Sequence, residues 1–575
     1  MRSTVILVFV VGCSSSMSSG DDTAPCGDGQ VADPATGACV ATCNPTGLLH
    51  AQPLTVDSTE RHYMLYVPST YKCGTPTPLL VDFHGTWSGV ESDNGEEAYA
   101  LDGAIAESEA QGFILVRPRS LFSAEGGSNV YRWDQNPGDL DRNRRFAHSL
   151  VDHLSALYSI DPARVYATGF SSGTNMAAQF FADSPAVFHG FAFVGGGVFD
   201  GEGPAVVNLD SSVRVYAVSG YRDYLYVNQQ ELFALLDANH YPSANVFQRT
   251  DMNGHELYGW HYREMFHWLD QGTRPAAGTL AASWTIEATP STEDFTALTS
   301  DGNGGLLATG DHGSIFRRDE AAGWSLVTAV AGAPALSGAC VLPSGIGIAV
   351  GEEKVARTID HGMTWSTDVS VPAFVDGFFD VPFLNGVGCS ATQLVTVGYW
   401  DSANSTDGAA WSKTDTTSQG FAAQGAQVKA SAAGTWIASG YYDYIGRSVD
   451  GVTFTAIDSP VASAQWLMGI APAPGGHWWI TGEAGTILSS VNDGASWVSQ
   501  SVASEDDLYA VSFFDANRGL AVGTHGAAYL TIDGGATWND RSTGLDAYLG
   551  DVVWLDANTV LAIGGNGTAA RLHVD

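Results

Sequence analysis

The sequence predicts two folded units in series: an α/β domain built on a mostly parallel sheet, then an all-β domain that closes as a seven-bladed β-propeller. Three observations carry this reading. Strand-like and helix-like segments alternate up to about residue 272, which indicates a parallel sheet covered by helices on both faces. Beyond Gly272 the helical patterns vanish and short strands recur between turn signals. Two landmarks in that second half repeat with a period near 40 residues, the spacing of a propeller with four strands per blade.

The chain's 575 residues exceed what a single core organises. Hydrophobic residues at 45% and charged residues at 15% fit a folded protein rather than a disordered one. A net charge of −37 with only 25 Lys and Arg excludes nucleic acid as a partner, because phosphates need cationic contacts. A solvated acidic surface accounts for the charge without any special role.

Met1-Arg2, the apolar run Val5 to Val11, and Gly12-Cys13-Ser14 describe a secretion signal, too short to span a bilayer. Val10-Val11-Gly12-Cys13 also resembles the bacterial lipobox, with valine where leucine is usual. Residues 1–13 are therefore expected to be a lipoprotein-type signal peptide, with Cys13 lipidated and the protein secreted and anchored at the bacterial outer membrane or cell surface. Ordinary secretion with a free Cys13 is the alternative. Residues 14–45 form a tether and Cys-rich segment. Cys26, Cys39, Cys43 and Cys73 lie in and around a Gly/Asp/Pro-rich stretch and read as disulfide staples. Zinc is disfavoured by the absence of a C-x-x-C pair. Cys340 and Cys389 occupy similar places in adjacent repeats, as a pair or as buried thiols.

In the α/β domain, residues 46–275, strands are expected at His62–Pro68, Leu79–Phe83, Phe113–Arg117, Arg164–Thr168, Phe191–Val194, Val213–Val218 and Asn245–Gln248. Helices are expected at Phe146–Tyr158, Thr174–Phe181, Gln229–Ala238 and Tyr262–Leu269. Between strand and helix lies Gly169-Phe170-Ser171-Ser172-Gly173, a G-x-S-x-G turn that exposes a serine Oγ on a strained corner. Its glycines are needed because side chains there would collide with the neighbouring strand or helix. In an α/β-hydrolase the acid and then the histidine follow the serine along the chain. Asp223 leaves the sheet after Val213–Val218, and His255 follows the last strand. The candidates are thus Ser171 as nucleophile, Asp223 as orienting acid and His255 as general base. Asp210 and Asp251 compete for the acid; His261 and His240 compete for the base. His267, between Phe266 and Trp268, reads as structural.

An oxyanion hole needs backbone donors. One is the N–H of Ser172. The other is expected from Phe83-His84-Gly85-Thr86-Trp87, with Thr86 N–H as donor and Trp87 over the acyl pocket. His84 reads as a structural histidine bonding the loop backbone. Trp133, Tyr221 and Trp260 either line a substrate pocket or are core aromatics. No cofactor and no metal is expected.

Three segments carry a family resemblance: Leu79-Leu80-Val81-Asp82-Phe83-His84-Gly85, Tyr131-Arg132-Trp133-Asp134, and Tyr158 to Tyr166 running on through the turn to Ala177. On these, residues about 60 to 270 resemble the secreted polyhydroxybutyrate depolymerase/feruloyl esterase group of α/β-hydrolases, the carbohydrate esterase family 1 type. The resemblance implies an extracellular serine carboxylic ester hydrolase acting on a polymer or plant cell-wall ester through an acyl-enzyme. Two departures stand out. Thr86 replaces a frequent cysteine, and Glu256 to Trp260 departs from the family's wording after the histidine.

In the second domain, residues 280–575, an aromatic recurs at Trp284, Trp324, Trp365, Trp411, Phe454, Trp497 and Trp538. A glycine after a short apolar strand recurs at Gly310, Gly351, Gly398, Gly440, Gly482, Gly523 and Gly564. The series are out of phase. Ring closure resolves this if Trp284–Ile286 supplies the outer strand of the blade begun near Leu549, which also removes exposed sheet edges. Asp360 to Trp365 and Asp533 to Trp538 resemble the Asp-box of sialidase-type and photosystem-assembly-type propellers, with Asp407, Asp450 and Asp493 heading shorter versions. These read as structural turns. Sialidase activity is disfavoured because the seven arginines of this half are scattered. The expected function is a serine esterase with the propeller as a module for a glycan, polymer or protein ligand. The alternative is a non-catalytic surface binding protein with a degenerate hydrolase domain.

Overall fold

The computed structural model describes residues 45–86, 101–123, 130–131, 133, 137–183, 187–197, 210–274, 278–332, 335–351, 354–371, 384–398, 401–415, 425–461 and 465–574, with the backbone of 30–32 and 39–41. The expected signal and lipidation site at Cys13, the tether, the side chains of Cys26, Cys39 and Cys43, and Trp87 lie outside these residues. Cys73 is disulfide-bonded. Among the described residues no helix is long and apolar enough to cross a membrane.

An eight-stranded sheet organises the first half. In chain order its strands are β1 (Gly47–Val56), β2 (Thr59–Val67), β3 (Thr77–Phe83), β4 (Ile114–Pro118), β5 (Ile160–Phe170), β6 (Gly190–Val194), β7 (Arg214–Gly220) and β8 (Val246–Asp251). They lie side by side in the order β8-β7-β6-β5-β3-β4-β2-β1. The six from β8 to β4 are parallel, and β2 and β1 add an antiparallel edge. Among the described residues five α-helices cover it: α1 (Leu101–Gln111), α2 (Pro137–Leu157), α3 (Ser172–Asp183), α4 (Tyr226–Ala238) and α5 (Gly259–Gln271).

Alternation along each strand feeds two cores, as the strand period of two requires. Leu79, Val81 and Phe83 of β3, with Val165 and Ala167 of β5, meet Phe146, Leu150 and Leu154 of α2 and Met176 and Phe180 of α3. On the other face, Leu80, Tyr166 and Tyr216 meet Ala104 of α1 and Tyr262, Met265 and Phe266 of α5. Every expected strand and helix is present, most of them longer than expected. Helix α1 and strand β1 were not expected. A Cβ on Gly103 of α1 would lie 2.6 Å from Gly259 Cα of α5, so this glycine lets two helices touch along their backbones.

From Phe295 to His573 seven small antiparallel sheets follow one another. Their first strands begin at Phe295, Gly338, Leu384, Gly425, Leu467, Leu508 and Leu549. Each first strand packs against the next, and the seventh returns to the first. This is a seven-bladed β-propeller. Trp284–Ile286 pairs antiparallel with Thr568–His573, Trp284 opposite Leu572, and so closes the ring. Among the described residues the second blade has three strands and a single bridge, Arg357 to Ser366, where a fourth would lie. Cys340 and Cys389 form a disulfide that ties the second blade to the third.

The repeated turns are structural. Asp360 Oδ1 accepts the Thr364 N–H (2.9 Å) and Oδ2 accepts its hydroxyl (2.6 Å). Asp533 does the same with Thr537. Asp407 and Asp450 each cap two backbone N–H groups. The fifth blade corrects the sequence reading. There Asn492, not Asp493, takes the capping place and accepts the Ser496 N–H at 3.0 Å. Asp493 lies one residue later at φ 60°, with Arg447 Nη2 donating to its carboxylate at 3.1 Å. A Ser or Thr two residues before the capping side chain marks the register in all five turns.

Candidate active site

The turn between β5 and α3 is strained where the sequence predicts. Ser171 has φ 53°, a left-handed conformation that costs a non-glycine residue roughly 1–2 kcal/mol. Its N–H donates to Val194 O (3.2 Å), and its own carbonyl accepts from Thr174 N (2.9 Å) and Thr174 Oγ1 (2.6 Å). The flanking glycines are sterically fixed. A Cβ on Gly169 would lie 2.2 Å from Gly173 O, and one on Gly173 would lie 1.9 Å from Phe83 O. Parallel pairing of Phe83 with Gly169 holds these backbones together.

Asp223 and His255 meet as expected. His255 Nδ1 lies 2.9 Å from Asp223 Oδ1, and the same oxygen accepts the Leu225 N–H at 2.7 Å. With a carboxylate accepting from Nδ1, Nε2 is left free to take a proton. Asp223 is buried, and its Oδ2 has no hydrogen-bond partner among the described residues. The His255 ring stacks on Phe170, the residue before the serine, at 4.7 Å, and lies 4.4 Å from the Tyr224 ring. Gly195, opposite the pair, leaves no room for a side chain, because its Cβ would approach Phe170, Asp223 and His255 at 2.8, 3.1 and 3.3 Å. No hydrogen bond joins Ser171 Oγ to His255 among the described residues; such contacts often tighten only once substrate is bound.

The loop after β3 runs beside the serine. A Cβ on Gly85 would lie 3.2 Å from Ser171 Cβ, and Thr86 is exposed just beyond it. Ser172 opens α3, where first-turn N–H groups have no intrahelical partner. His84 is buried and structural. Its Nδ1–H donates to Gly85 O (2.6 Å) while Nε2 accepts from Ser120 N (3.1 Å). Burial pulls its pKa down to about 4, so it stays neutral.

The competing residues have other work. Tyr258 N–H donates to His261 Nδ1 (2.9 Å), which caps α5, and burial keeps that imidazole far below its ordinary pKa. His267 bonds Thr273 Oγ1 at 2.7 Å, and His240 is exposed beyond α4. Asp210 caps Ser212; Asp251 caps Asn253. Trp133, Tyr221 and Trp260 are all buried. Trp133 donates to His84 O at 2.9 Å, which steadies the loop carrying Thr86. Tyr221 donates to Asp294 of the propeller at 3.1 Å, and Trp260 lies 5.2 Å from the ring of His525.

The axial face of the propeller is docked against this edge of the sheet. Tyr221, Tyr226 and Met252 share one core with Ala335, Ala426, Trp466, Met468, Tyr509 and Tyr548, drawn from five blades. Sequence reasoning missed the propeller residues Trp466 and Glu483, and Glu256 opposite them. Trp466 Nε1 donates to Glu256 Oε1 at 2.9 Å, and Tyr258 OH donates to Glu483 Oε1 at 2.9 Å. Their signal was the unusual wording from Glu256 to Trp260: residues 256, 258 and 260 each touch the propeller.

Burial at this contact raises the Glu256 and Glu483 carboxyls to about 8, and the buried Asp507 carboxyl is also held high beside Glu483. The folded values lie above the unfolded ones, so the folded chain holds extra protons in between. The stability these carboxyls contribute is then greatest below the ordinary glutamate range and declines as pH rises towards 8. The thermal midpoint is expected to fall between about pH 5 and about pH 8. Glu483→Gln should flatten that slope in calorimetry, and an unchanged slope would contradict the assignment.

Glu264, His525 and Asp546 bring one ligand atom each within 4.8 Å of one another. The Arg249 guanidinium already occupies that place, 2.7 Å from Glu264 and 3.6 Å from Asp546, so the donor set does not fit a metal ion.

No family model matches the chain. Its amino-terminal part is similar to curated ester hydrolases. It is 34% identical over 139 residues to poly(3-hydroxyalkanoate) depolymerase C of Paucimonas lemoignei, covering 23% of this chain and 31% of that protein. It is 30% identical over 176 residues to the putative esterase NocK of Nocardia uniformis subsp. tsuyamanensis, covering 30% and 48%. It is 29% identical over 113 residues to the bifunctional acetylxylan esterase/xylanase XynS20E of Neocallimastix patriciarum, covering 20% and 14%. The chain thus spans less than half the length of these relatives. Among solved structures, YCF48 from Cyanidioschyzon merolae aligns with TM-score 0.41 at 15% identity, over 51% of this chain and 99% of that one. A virginiamycin B lyase from Staphylococcus aureus aligns with TM-score 0.43 at 10% identity, over 51% and 98%. The chain therefore joins an amino-terminal part whose relatives are esterases and a depolymerase to a seven-bladed β-propeller.

Proposed function

We propose that this chain is a serine carboxylic ester hydrolase whose eight-stranded domain is an α/β-hydrolase of the carbohydrate esterase family 1 type. The observation that carries the reading is the left-handed Ser171 (φ 53°) at a strand–helix corner, beside a hydrogen-bonded His255–Asp223 pair. The esterase relatives support it independently. Ser171 Oγ attacks the ester carbonyl as His255 Nε2 takes its proton, and Asp223 stabilises the imidazolium. The backbone N–H groups of Ser172 and Thr86 receive the developing oxyanion. His255 then protonates the leaving alcohol, and water releases the acid from the acyl-serine. Trp87, outside the described residues, is the residue assigned to the acyl side.

The substrate is a polymer or plant cell-wall ester, and the protein is secreted with Cys13 lipidated at the bacterial surface. The signal occupies residues 1–13, the tether 14–45, the hydrolase 46–275 and an Asp-box propeller 280–575. A ligand of the propeller, glycan, polymer or protein, would use surfaces outside the face docked on the hydrolase.

Incubation with a fluorophosphonate tests the chemistry. One adduct per chain is expected on the peptide containing Ser171, with hydrolysis of p-nitrophenyl acetate and butyrate lost in proportion. Hydrolysis that survives full labelling would sink the serine mechanism, and a wild type that hydrolyses neither ester would sink the esterase reading. A panel of feruloyl, acetyl-xylan and hydroxybutyrate esters identifies the substrate class.

A further inference from the structure

The loop that carries His255 hangs between two supports. Its first half is held by the α/β domain: the N–H groups of Tyr221 and Arg222 donate to the carbonyls of Asp251 (2.8 Å) and Asn253 (3.2 Å). From Gly254 onward the support comes from the propeller. A Cβ on Gly254 would lie 2.3 Å from Cζ2 and 2.7 Å from Cη2 of Trp466, so the indole is packed directly on that backbone. Two residues later, Glu256 accepts the hydrogen bond of the same indole. His255 lies between these two contacts.

Trp466 is itself well fixed. It is 1% exposed, the Tyr441 ring lies 5.1 Å from it, and its carbonyl accepts the Glu483 N–H at 3.2 Å. It stands immediately before the first strand of the fifth blade, Leu467–Ala473. Glu483 of that blade accepts from Tyr258, so one blade holds the chain on both sides of the histidine.

We propose that Trp466 is a positioning residue for His255, so that the propeller completes the catalytic centre of the hydrolase; this rests on His255 being the general base. The indole fixes residues 254 and 256, which sets where the imidazole presents Nε2 to Ser171. A displacement of about 1 Å at a reacting group costs about a hundredfold in rate. A small ester bound at the serine and its oxyanion donors gains no affinity from Trp466, so the loss falls on kcat.

The test uses the full chain and p-nitrophenyl acetate. Trp466→Ala is expected to lower kcat by about a hundredfold with KM unchanged within about twofold. Trp466→Phe retains a ring on Gly254 and should recover kcat to within about tenfold of wild type. Gly254→Ala should also lower kcat by about tenfold or more, because its methyl group meets the indole, yet cost under about twofold when added to Trp466→Ala. If Trp466→Ala does not fold by circular dichroism, Trp466→Leu takes its place in the cycle. Wild-type kcat in the folded Trp466 variant, or an equal Gly254→Ala penalty in both backgrounds, would overturn the proposal. An inactive wild type would instead overturn the esterase reading beneath it.

Discussion

Ser171→Ala is expected to lower kcat for p-nitrophenyl acetate by roughly 10⁴ to 10⁶-fold while leaving the fold intact. The size follows from the loss of the acyl-enzyme route, since the oxyanion donors alone retain only modest catalysis over water. The intact fold follows from the site. Ser171 Oγ has no hydrogen bond among the described residues, whereas the backbone contacts of residue 171 to Val194 and Thr174 need no hydroxyl. Alanine keeps the Cβ and so the same left-handed strain at φ 53°. Calorimetry should therefore give a midpoint close to wild type. Activity within tenfold of wild type would remove Ser171 from the mechanism, and a large drop in the midpoint would show the serine to be structural.

Gly173→Ala is expected to destabilise the fold by more than about 4 kcal/mol. The new methyl would lie 1.9 Å from Phe83 O, 2.6 Å from Phe83 C and 2.7 Å from His84 O. All three are backbone atoms at the end of a central strand, so no side-chain rotation relieves the overlap. Relief requires β3 to separate from α3, which breaks the core shared by Phe83 and Phe180, whose rings stack at 5.7 Å. Denaturant unfolding measures the loss, and a variant within 1–2 kcal/mol of wild type would mean that the turn relaxes far more than its packing implies.

Much of the molecule was legible because each part left a local mark. The strand–turn–helix wording around Gly169 to Gly173 fixed the serine corner, and the out-of-phase aromatic and glycine series anticipated Trp284 pairing with Leu572. Helix α1 was hidden by Gly103, a residue that weakens a helix in isolation and is tolerated only through contact with Gly259. Strand β1 was hidden by Pro53, which a sheet accepts at its outer edge. The misplaced turn in the fifth blade came from reading aspartate alone; Asn492 caps just as well, and Ser490 sets the register. The contact between the two halves left almost no local mark. Trp466 and Glu256 are 210 residues apart, and the unusual wording from Glu256 to Trp260 marks one side of the contact without naming its partner. Tyr221 and Trp260 are suited equally to a substrate pocket or a domain contact by residue type, and only the tertiary arrangement tells these roles apart.

The closing strand has a consequence for the order in which the molecule is made. Trp284–Ile286 emerges from the ribosome directly after the α/β domain, but its partner Thr568–His573 emerges only after all the intervening blades. Until then the ring is open, and the blade carrying Trp466 has no complete platform from which to hold the histidine loop. Ester hydrolysis should therefore be about a hundredfold slower in stalled chains that already contain serine, aspartate and histidine, and should rise abruptly as the final blade zips shut. Turnover would then report that assembly of the ring is finished.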